Sequence, residues 1–146
     1  MRITTKVRYG LRALLQIAVS YDGTPVPLST ISENQEISRK YLEQLVASLR
    51  REGLLGSKKG VRGGYYLTRE PIDITLWDVF VCMEGCAPLV ECVPEPDSCT
   101  RSEFCTTRSI WELLDHKLQQ FWESFTLQDL IDKLPELENG LKQLEK

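Results

Sequence analysis

Apolar residues recur along the first twenty positions at the three- and four-residue intervals of a helix with one buried side, on Val7, Leu11, Leu14, Leu15 and Ala18. Thr4 or Thr5 can cap this helix, predicted over 4–20, and Asp22-Gly23-Thr24-Pro25 breaks it. A short second helix is expected around the capping box Thr30-Ile31-Ser32-Glu33, with Leu28 and Ile31 on its apolar side. After a tight connection at Glu36-Ile37, Ser38 can cap a third helix. Its Leu42, Leu45, Val46 and Leu49 form one stripe, and Arg39, Lys40, Tyr41 and Gln44 turn mostly away from it. Gly53 ends that helix. Two short strands, 54–57 and 65–68, then enclose Lys58-Lys59-Gly60-Val61-Arg62-Gly63-Gly64, a basic, glycine-rich hairpin tip.

The second half has a different pattern. Helical spacing returns over Ile74 to Gly85, in Ile74, Trp77, Phe80 and Val81. Residues 86–105 have no periodicity and contain Pro88, Pro94, Pro96 and four cysteines. A loop of that length inside a compact protein needs something to order it, and a bound metal would. From Thr106 the pattern is strongly helical: Trp111, Leu114, Leu118, Phe121 and Phe125 step by three and four residues like the seam of a coiled coil, and Ile110 and Trp122 widen the face. So small a chain has little core to cover it, so a homodimer seam is expected there. The segment 127–146, with Pro135 and Gly140, is expected to form short helices and a tail.

The fold class that follows is mainly α with a small β-wing: a winged helix-turn-helix domain over 1–85, a cysteine-rich loop over 86–105, a long dimerisation helix over 106–126 and the tail. The chain has 146 residues, 42% hydrophobic and 27% charged, which is ordinary globular composition. No apolar run is long enough for a membrane span, and the N-terminus lacks the apolar core of a secretory signal, so the cytoplasm is the expected compartment. The net charge of −3 hides an asymmetry, since residues 1–70 carry +6 and residues 71–146 carry −9. Such a front half suits a polyanion.

Two short helices joined by a tight turn and followed by a basic hairpin are the pieces of a DNA reader. The buried stripe anchors the third helix and leaves its first turn free for the major groove of a double-stranded operator. Lys6, Ser38, Arg39, Lys40 and Tyr41 are candidate contacts there. Gln44 has the amide geometry to read adenine. At the wing, Lys58, Lys59 and Arg62 bring charge to phosphates or the minor groove, and glycines such as Gly63 permit close approach.

All five cysteines lie between Cys82 and Cys105, an odd and clustered set that does not read as a secreted disulfide framework. Cys92, Cys99 and Cys105 are candidate metal ligands, because soft thiolates suit iron–sulfur clusters, zinc or copper(I). Cys82 falls in an apolar helical pattern and reads as core; Cys86 can be read either way. A winged-helix regulator using zinc or thiol redox chemistry, and an iron–sulfur carrier or electron-transfer protein, are the alternatives. Nothing in the pattern reads as an enzyme.

Nearly the whole chain resembles the IscR/NsrR/CymR-type winged-helix transcriptional regulators of bacteria. The resemblance rests on Met1-Arg2-Ile3-Thr4-Thr5-Lys6-Val7-Arg8-Tyr9-Gly10, on Ile37-Ser38-Arg39-Lys40-Tyr41-Leu42-Glu43-Gln44-Leu45 and on Gly60-Val61-Arg62-Gly63-Gly64-Tyr65. It rests further on Glu84-Gly85, the three spaced cysteines and Cys105-Thr106-Thr107-Arg108-Ser109-Ile110-Trp111. It implies a homodimer with a long crossing helix and a nearby loop whose [2Fe–2S] or [4Fe–4S] cluster controls operator binding, more often as a repressor. Members concerned with cysteine metabolism often lack the cysteine set and the cluster. The resemblance also implies a fourth ligand: a histidine three residues after the last cysteine in IscR-like members, or an aspartate on the first helix in NsrR-like ones. Those positions hold Arg108 and Arg8 here. The single histidine, His116, is about 16 Å along a helix from Cys105. Cys86, a carboxylate such as Glu91, Asp97 or Glu103, a small molecule, or a vacant position are left as the possibilities for the fourth site.

Overall fold

The computed structural model describes residues 3–85 and 88–132; helix is present at 127–132, at the start of the segment expected to form short helices, while Cys86 and the tail beyond 132 lie outside the described residues. Helix α1 (Thr5–Val19) opens at Thr4, whose side chain accepts from the Val7 amide. It buries Val7, Gly10, Ala13, Leu14, Ile17 and Ala18. Helix α2 (Leu28–Gln35) begins at Pro27 with no side-chain cap, so the expected capping box at Thr30 does not form. The reason is upstream. Val26 exchanges two backbone hydrogen bonds with Tyr65, at 2.8 and 2.9 Å, and Pro27 then directs the chain straight into the helix.

Helix α3 (Arg39–Arg51) uses Ser38 as its cap, the side chain accepting from the Tyr41 amide at 3.3 Å, and buries the predicted stripe Leu42, Leu45, Val46 and Leu49. Strands β1 (Leu55–Lys58) and β2 (Gly64–Leu67) pair antiparallel, Leu55 opposite Leu67 and Lys58 opposite Gly64. A 3-10 turn, Pro71–Asp73, leads to helix α4 (Leu76–Glu84), two residues later than the pattern predicts. A capping box sets that start: Thr75 Oγ1 accepts from the Asp78 amide at 3.1 Å, and Asp78 Oδ2 accepts from the Thr75 amide at 3.0 Å. Helix α4 packs on α1 and α3, with Met83 filling the space beside Gly10 so closely that an added Cβ would lie 2.7 Å from its sulfur.

One core joins these elements. Leu14, Ile31, Leu42, Leu45, Leu49, Leu54, Ile74 and Met83 are almost completely buried within it. At about 1.5–3 kcal/mol for each fully buried side chain, this cluster is the main stabilising contribution of the front half.

Residues 88–105 form turns, with 3-10 segments at Pro96–Ser98 and Ser102–Phe104. Helix α5 (Arg108–Glu123) follows and has no buried residue. The predicted seam is split. Trp122 and Phe125 pack against the core, with Trp122 stacked on Phe80 of α4 at 5.7 Å, whereas Ile110, Leu113, Leu114 and Phe121 stand exposed.

The chain then returns to the front half. Leu76 donates to the Phe125 carbonyl at 2.8 Å and Leu127 donates to the Ile74 carbonyl at 2.9 Å. Leu127, assigned by sequence to a tail, is completely buried in the core. Among the described residues no helix is long and apolar enough to cross a membrane.

Candidate nucleic-acid interface and cysteine loop

The turn between α2 and α3 is held from within. Glu36 takes a left-handed conformation (φ 53°), the Ile37 amide donates to the Ser32 carbonyl at 3.2 Å, and the Ser32 hydroxyl donates to the Ile37 carbonyl at 2.6 Å. Ile37 itself is buried. These constraints project the first turn of α3 from the body of the molecule, leaving Ser38, Arg39, Lys40 and Gln44 exposed. Arg39 is paired with Glu43 at 3.5 Å on that surface. Tyr41 differs from expectation: it is half-buried, packs on the core and meets Tyr9 edge-on at 6.1 Å, because its ring fills the angle between α3 and α1. Lys6, on α1, is half-buried as well.

At the wing, Lys58, Lys59 and Arg62 are exposed and Val61 at the tip is fully so. Two glycines have structural reasons of their own. A Cβ on Gly63 would lie 2.3 Å from the Lys58 carbonyl oxygen, and one on Gly64, at φ 158°, would lie 2.4 Å from the Val26 backbone. Here the close approach that requires glycine is to the protein's own chain.

The cysteine loop lies beside the start of α5. Cys92, Cys99 and Cys105 are free thiols, each half-buried, while Cys82 is free and buried in α4. Burial pushes the Cys82 thiol up to about 11, with nearby Glu52 adding to the effect. Cys105 is shifted the other way. Thr107 Oγ1 lies 3.2 Å from its sulfur, and this hydroxyl, with the Thr107 amide, holds the thiol below its ordinary value.

Arg108, at the position where relatives would place a histidine ligand, has structural work instead. Its guanidinium donates to the Cys92 carbonyl at 3.0 Å and the Val93 carbonyl at 3.2 Å, and pairs with Glu112 at 3.0 Å. The sequence excludes Arg108 as a ligand; that it clamps the loop to α5 is visible only in three dimensions. Arg8 is exposed, its guanidinium bonded to Thr5. His116 is exposed and lines a cleft of about 400 Å³ with Trp77, Val93 and Pro94.

The donor set of the loop is chemically suited to a metal–sulfur group: three soft thiols within fourteen residues and no disulfide among them. Between two of them Ser102 is 6% exposed, and its hydroxyl has no hydrogen-bond partner among the described residues. No group of three or more histidine, cysteine, aspartate or glutamate side chains stands close enough to hold a metal ion among the described residues. The ligand types are present, then, without being gathered. Cys86 cannot be placed, since it lies outside the described residues.

With the geometry in view, similarity to known proteins decides the family. Residues 3–133 match the family described as "Rrf2: Iron-dependent Transcriptional regulator". The chain belongs to the Rrf2 family. It is 40% identical over 131 residues to protein rrf2 of Nitratidesulfovibrio vulgaris, spanning 90% of this chain and 87% of that relative. Among solved structures it is similar to T. potens IscR, with a TM-score of 0.76 at 34% identity over 94% of this chain and 90% of that one. It is equally similar in identity, 34%, to CymR, "the Global Cysteine Regulator of B. subtilis", with a TM-score of 0.74 over 89% of this chain and 95% of the other. The mainly helical fold with its two-stranded wing is thus that of a winged-helix Rrf2 regulator. Its role is transcriptional regulation through DNA, a non-enzymatic one, and the electron-carrier alternative falls away.

Proposed function

We propose that this Rrf2 regulator is a cytoplasmic, homodimeric repressor whose operator binding is controlled by a [2Fe–2S] or [4Fe–4S] cluster on Cys92, Cys99 and Cys105. The observation that carries the reading is the set of three free thiols on one irregular loop clamped by Arg108 to the start of α5. A bound cluster supplies a redox- and ligand-sensitive cross-link between these thiols. Drawing them together would pull on the clamp and hence on α5, whose exposed Ile110, Leu113, Leu114 and Phe121 suit a second copy. The rings of Phe80 and Trp122 connect α5 to α4, and α4 packs on α3. A tenfold change in operator affinity requires only about 1.4 kcal/mol of difference between loaded and empty states.

In this reading residues 1–85 bind DNA, 86–105 sense and 106–126 dimerise. The exposed Ser38, Arg39, Lys40, Gln44, Lys58, Lys59 and Arg62 contact the duplex; Lys6, Tyr41 and Gly63 support that face from partly buried positions. A second reading keeps the fold and replaces the cluster by thiol chemistry. It is favoured by the acidified Cys105 and by thiols that are not gathered.

One sample tests both. The protein is purified without oxygen, analysed for iron, sulfide and visible absorption, and titrated with promoter fragments of its source genome at several salt concentrations. The cluster reading expects a coloured protein with iron and sulfide, loss of most of both in Cys92→Ala, and an affinity that changes on oxidation. A colourless protein without bound zinc whose affinity still responds to oxidants establishes the thiol reading. If a dimer uses about six to eight phosphate contacts, the log–log salt slope is about −5 to −7. Salt-independent binding would overturn the proposed interface.

A further inference from the structure

The cleft beside His116 is walled by three parts of the chain that only the fold brings together. Helix α4 gives Trp77, the loop gives Pro88 and Val93, and α5 gives Asp115, His116 and Gln119. Its volume of about 400 Å³ falls within the roughly 300–1,000 Å³ of small-molecule sites, which are apolar clefts with a few convergent polar groups. Two of its walls are fastened. The Trp77 ring stacks on Phe80 at 5.5 Å, and Asp115 Oδ1 accepts from the Leu89 amide at 3.2 Å, which pins the loop to α5. At about 3.6 residues per turn, Asp115 and Gln119 are turned away from the exposed Ile110, Leu114 and Phe121. The cleft and the apolar stripe therefore occupy different faces of α5.

The polar groups decide what such a cleft takes. The Gln119 amino group is already engaged, donating to Glu123 Oε1 at 2.8 Å, which leaves its carbonyl oxygen as the free end. Asp115 accepts one bond through Oδ1 and has Oδ2 to offer, and an ionised carboxylate can only accept. The guanidinium of Arg108, two turns earlier on α5, is occupied by the Cys92 and Val93 carbonyls and by Glu112. His116 is the single basic side chain among the described lining residues. The lining is thus rich in acceptors and poor in donors, beside an indole whose ring attracts positive charge. An anion or a zwitterion would need donors for its carboxylate that Gln119 no longer has.

We propose that this cleft binds a small organic cation, a protonated or quaternary amine with an apolar body. The ammonium group meets Asp115 and the Gln119 carbonyl oxygen, and the body lies against Trp77, Pro88 and Val93. One ligand then touches α4, the loop and α5, so occupancy restrains the loop where it leaves the front half. The assignment is independent of what the three thiols hold.

Titration calorimetry of the full chain with benzylamine, benzyl alcohol and benzoate tests the charge requirement on one shared ring. Benzylamine should bind saturably, at least about tenfold more tightly than benzyl alcohol, with benzoate weaker still. Asp115→Asn keeps an acceptor for the Leu89 amide; it should weaken benzylamine about tenfold and leave benzyl alcohol unchanged. Gln119→Leu, which keeps the charge, should weaken benzylamine about threefold. Bound benzylamine should slow amide exchange over 89–93 and leave the amides of α3 unchanged. No saturable binding of benzylamine, or an equal loss of benzylamine and benzyl alcohol in Asp115→Asn, overturns the proposal. Tighter binding of benzoate than of benzylamine also overturns it, and makes the cleft an anion site led by His116. Slowed exchange elsewhere but not over 89–93 places the ligand on another surface, and the proposal fails equally.

Discussion

Helix α3 buries Leu42, Leu45, Val46 and Leu49 against a core supplied by every element of the front half, whereas the longer α5 has no buried residue of its own. The two helices have equally clear apolar stripes in sequence. The difference lies in what each stripe meets. Around α3, the turn at Glu36-Ile37, the Val26–Tyr65 bridge and the Met83 side chain in the notch at Gly10 close the core on all sides. Around α5, one edge meets Phe80 through Trp122, the loop is fastened by Arg108, and the remaining apolar side faces outward. A DNA-reading surface needs fixed side chains and is built on the closed core. A segment proposed to sense and to dimerise is held by few, breakable contacts.

The sharpest way to break this contrast is a matched pair of truncations. Leu49→Ala should cost about 2–5 kcal/mol, measured by denaturant unfolding, because the cavity it leaves is surrounded by packed side chains. Leu114→Ala should cost under about 0.5 kcal/mol within one subunit. Leu114→Glu should instead abolish any dependence of the unfolding midpoint on protein concentration and sediment as monomer, if a second copy covers that face. An unchanged dimer would show that α5 is not the seam.

Next in size is the clamp. Arg108→Met removes charge-assisted hydrogen bonds to Cys92 and Val93, each worth about 1.5–3 kcal/mol. Amide exchange over 89–105 should quicken by about tenfold or more while the front-half amides and the global midpoint hold. Equal acceleration everywhere would mean that the loop and the core open as one unit.

Thr75→Val tests the junction of the two regions. It removes the cap of α4 beside the bridge to Thr126, where a second threonine–aspartate pair, Thr126 with Asp129, repeats the same bonds at 2.9 and 3.1 Å. A loss of about 1 kcal/mol is expected. A larger loss would show that the return of Leu127 to the core depends on this cap.

The smallest effect separates the thiols by pH. In the iron-free protein Cys105 should be alkylated fastest and retain that reactivity to lower pH than an ordinary thiol, because its ionised form is favoured. Cys82 should resist until the pH nears 11. Its folded value is raised, so its stabilising contribution is complete below the ordinary thiol value and is lost as pH climbs from there through about 11. Mass-spectrometric mapping of alkylation against pH would show an inverted order if the burial assignments were exchanged.

Local rules carried most of the front half. The stripe of α3, the Ser38 cap, the hairpin and the exposed basic residues of the wing each depend on neighbours within a few positions, so they can be read along the chain. The same local rules misjudged threonine. Thr30-x-x-Glu33 and Thr75-x-x-Asp78 look alike in sequence, yet only the second is a capping box, because the pairing of Val26 with Tyr65, thirty-nine positions later, decides where α2 begins.

The sequence by itself determined which helices exist, which face of α3 is buried, where the charge lies and which three thiols share a loop. Tertiary structure alone decided that Tyr41 fills a joint against Tyr9, that Gly63 and Gly64 are required by their own backbone, and that Leu127 belongs to the core. It also decided that Arg108 fastens the loop and that the Ser102 hydroxyl is buried with no hydrogen-bond partner among the described residues. The physical reason is common to all of these. Periodicity and capping are properties of consecutive residues, whereas burial, steric exclusion and hydrogen-bond satisfaction are properties of whatever the fold brings alongside.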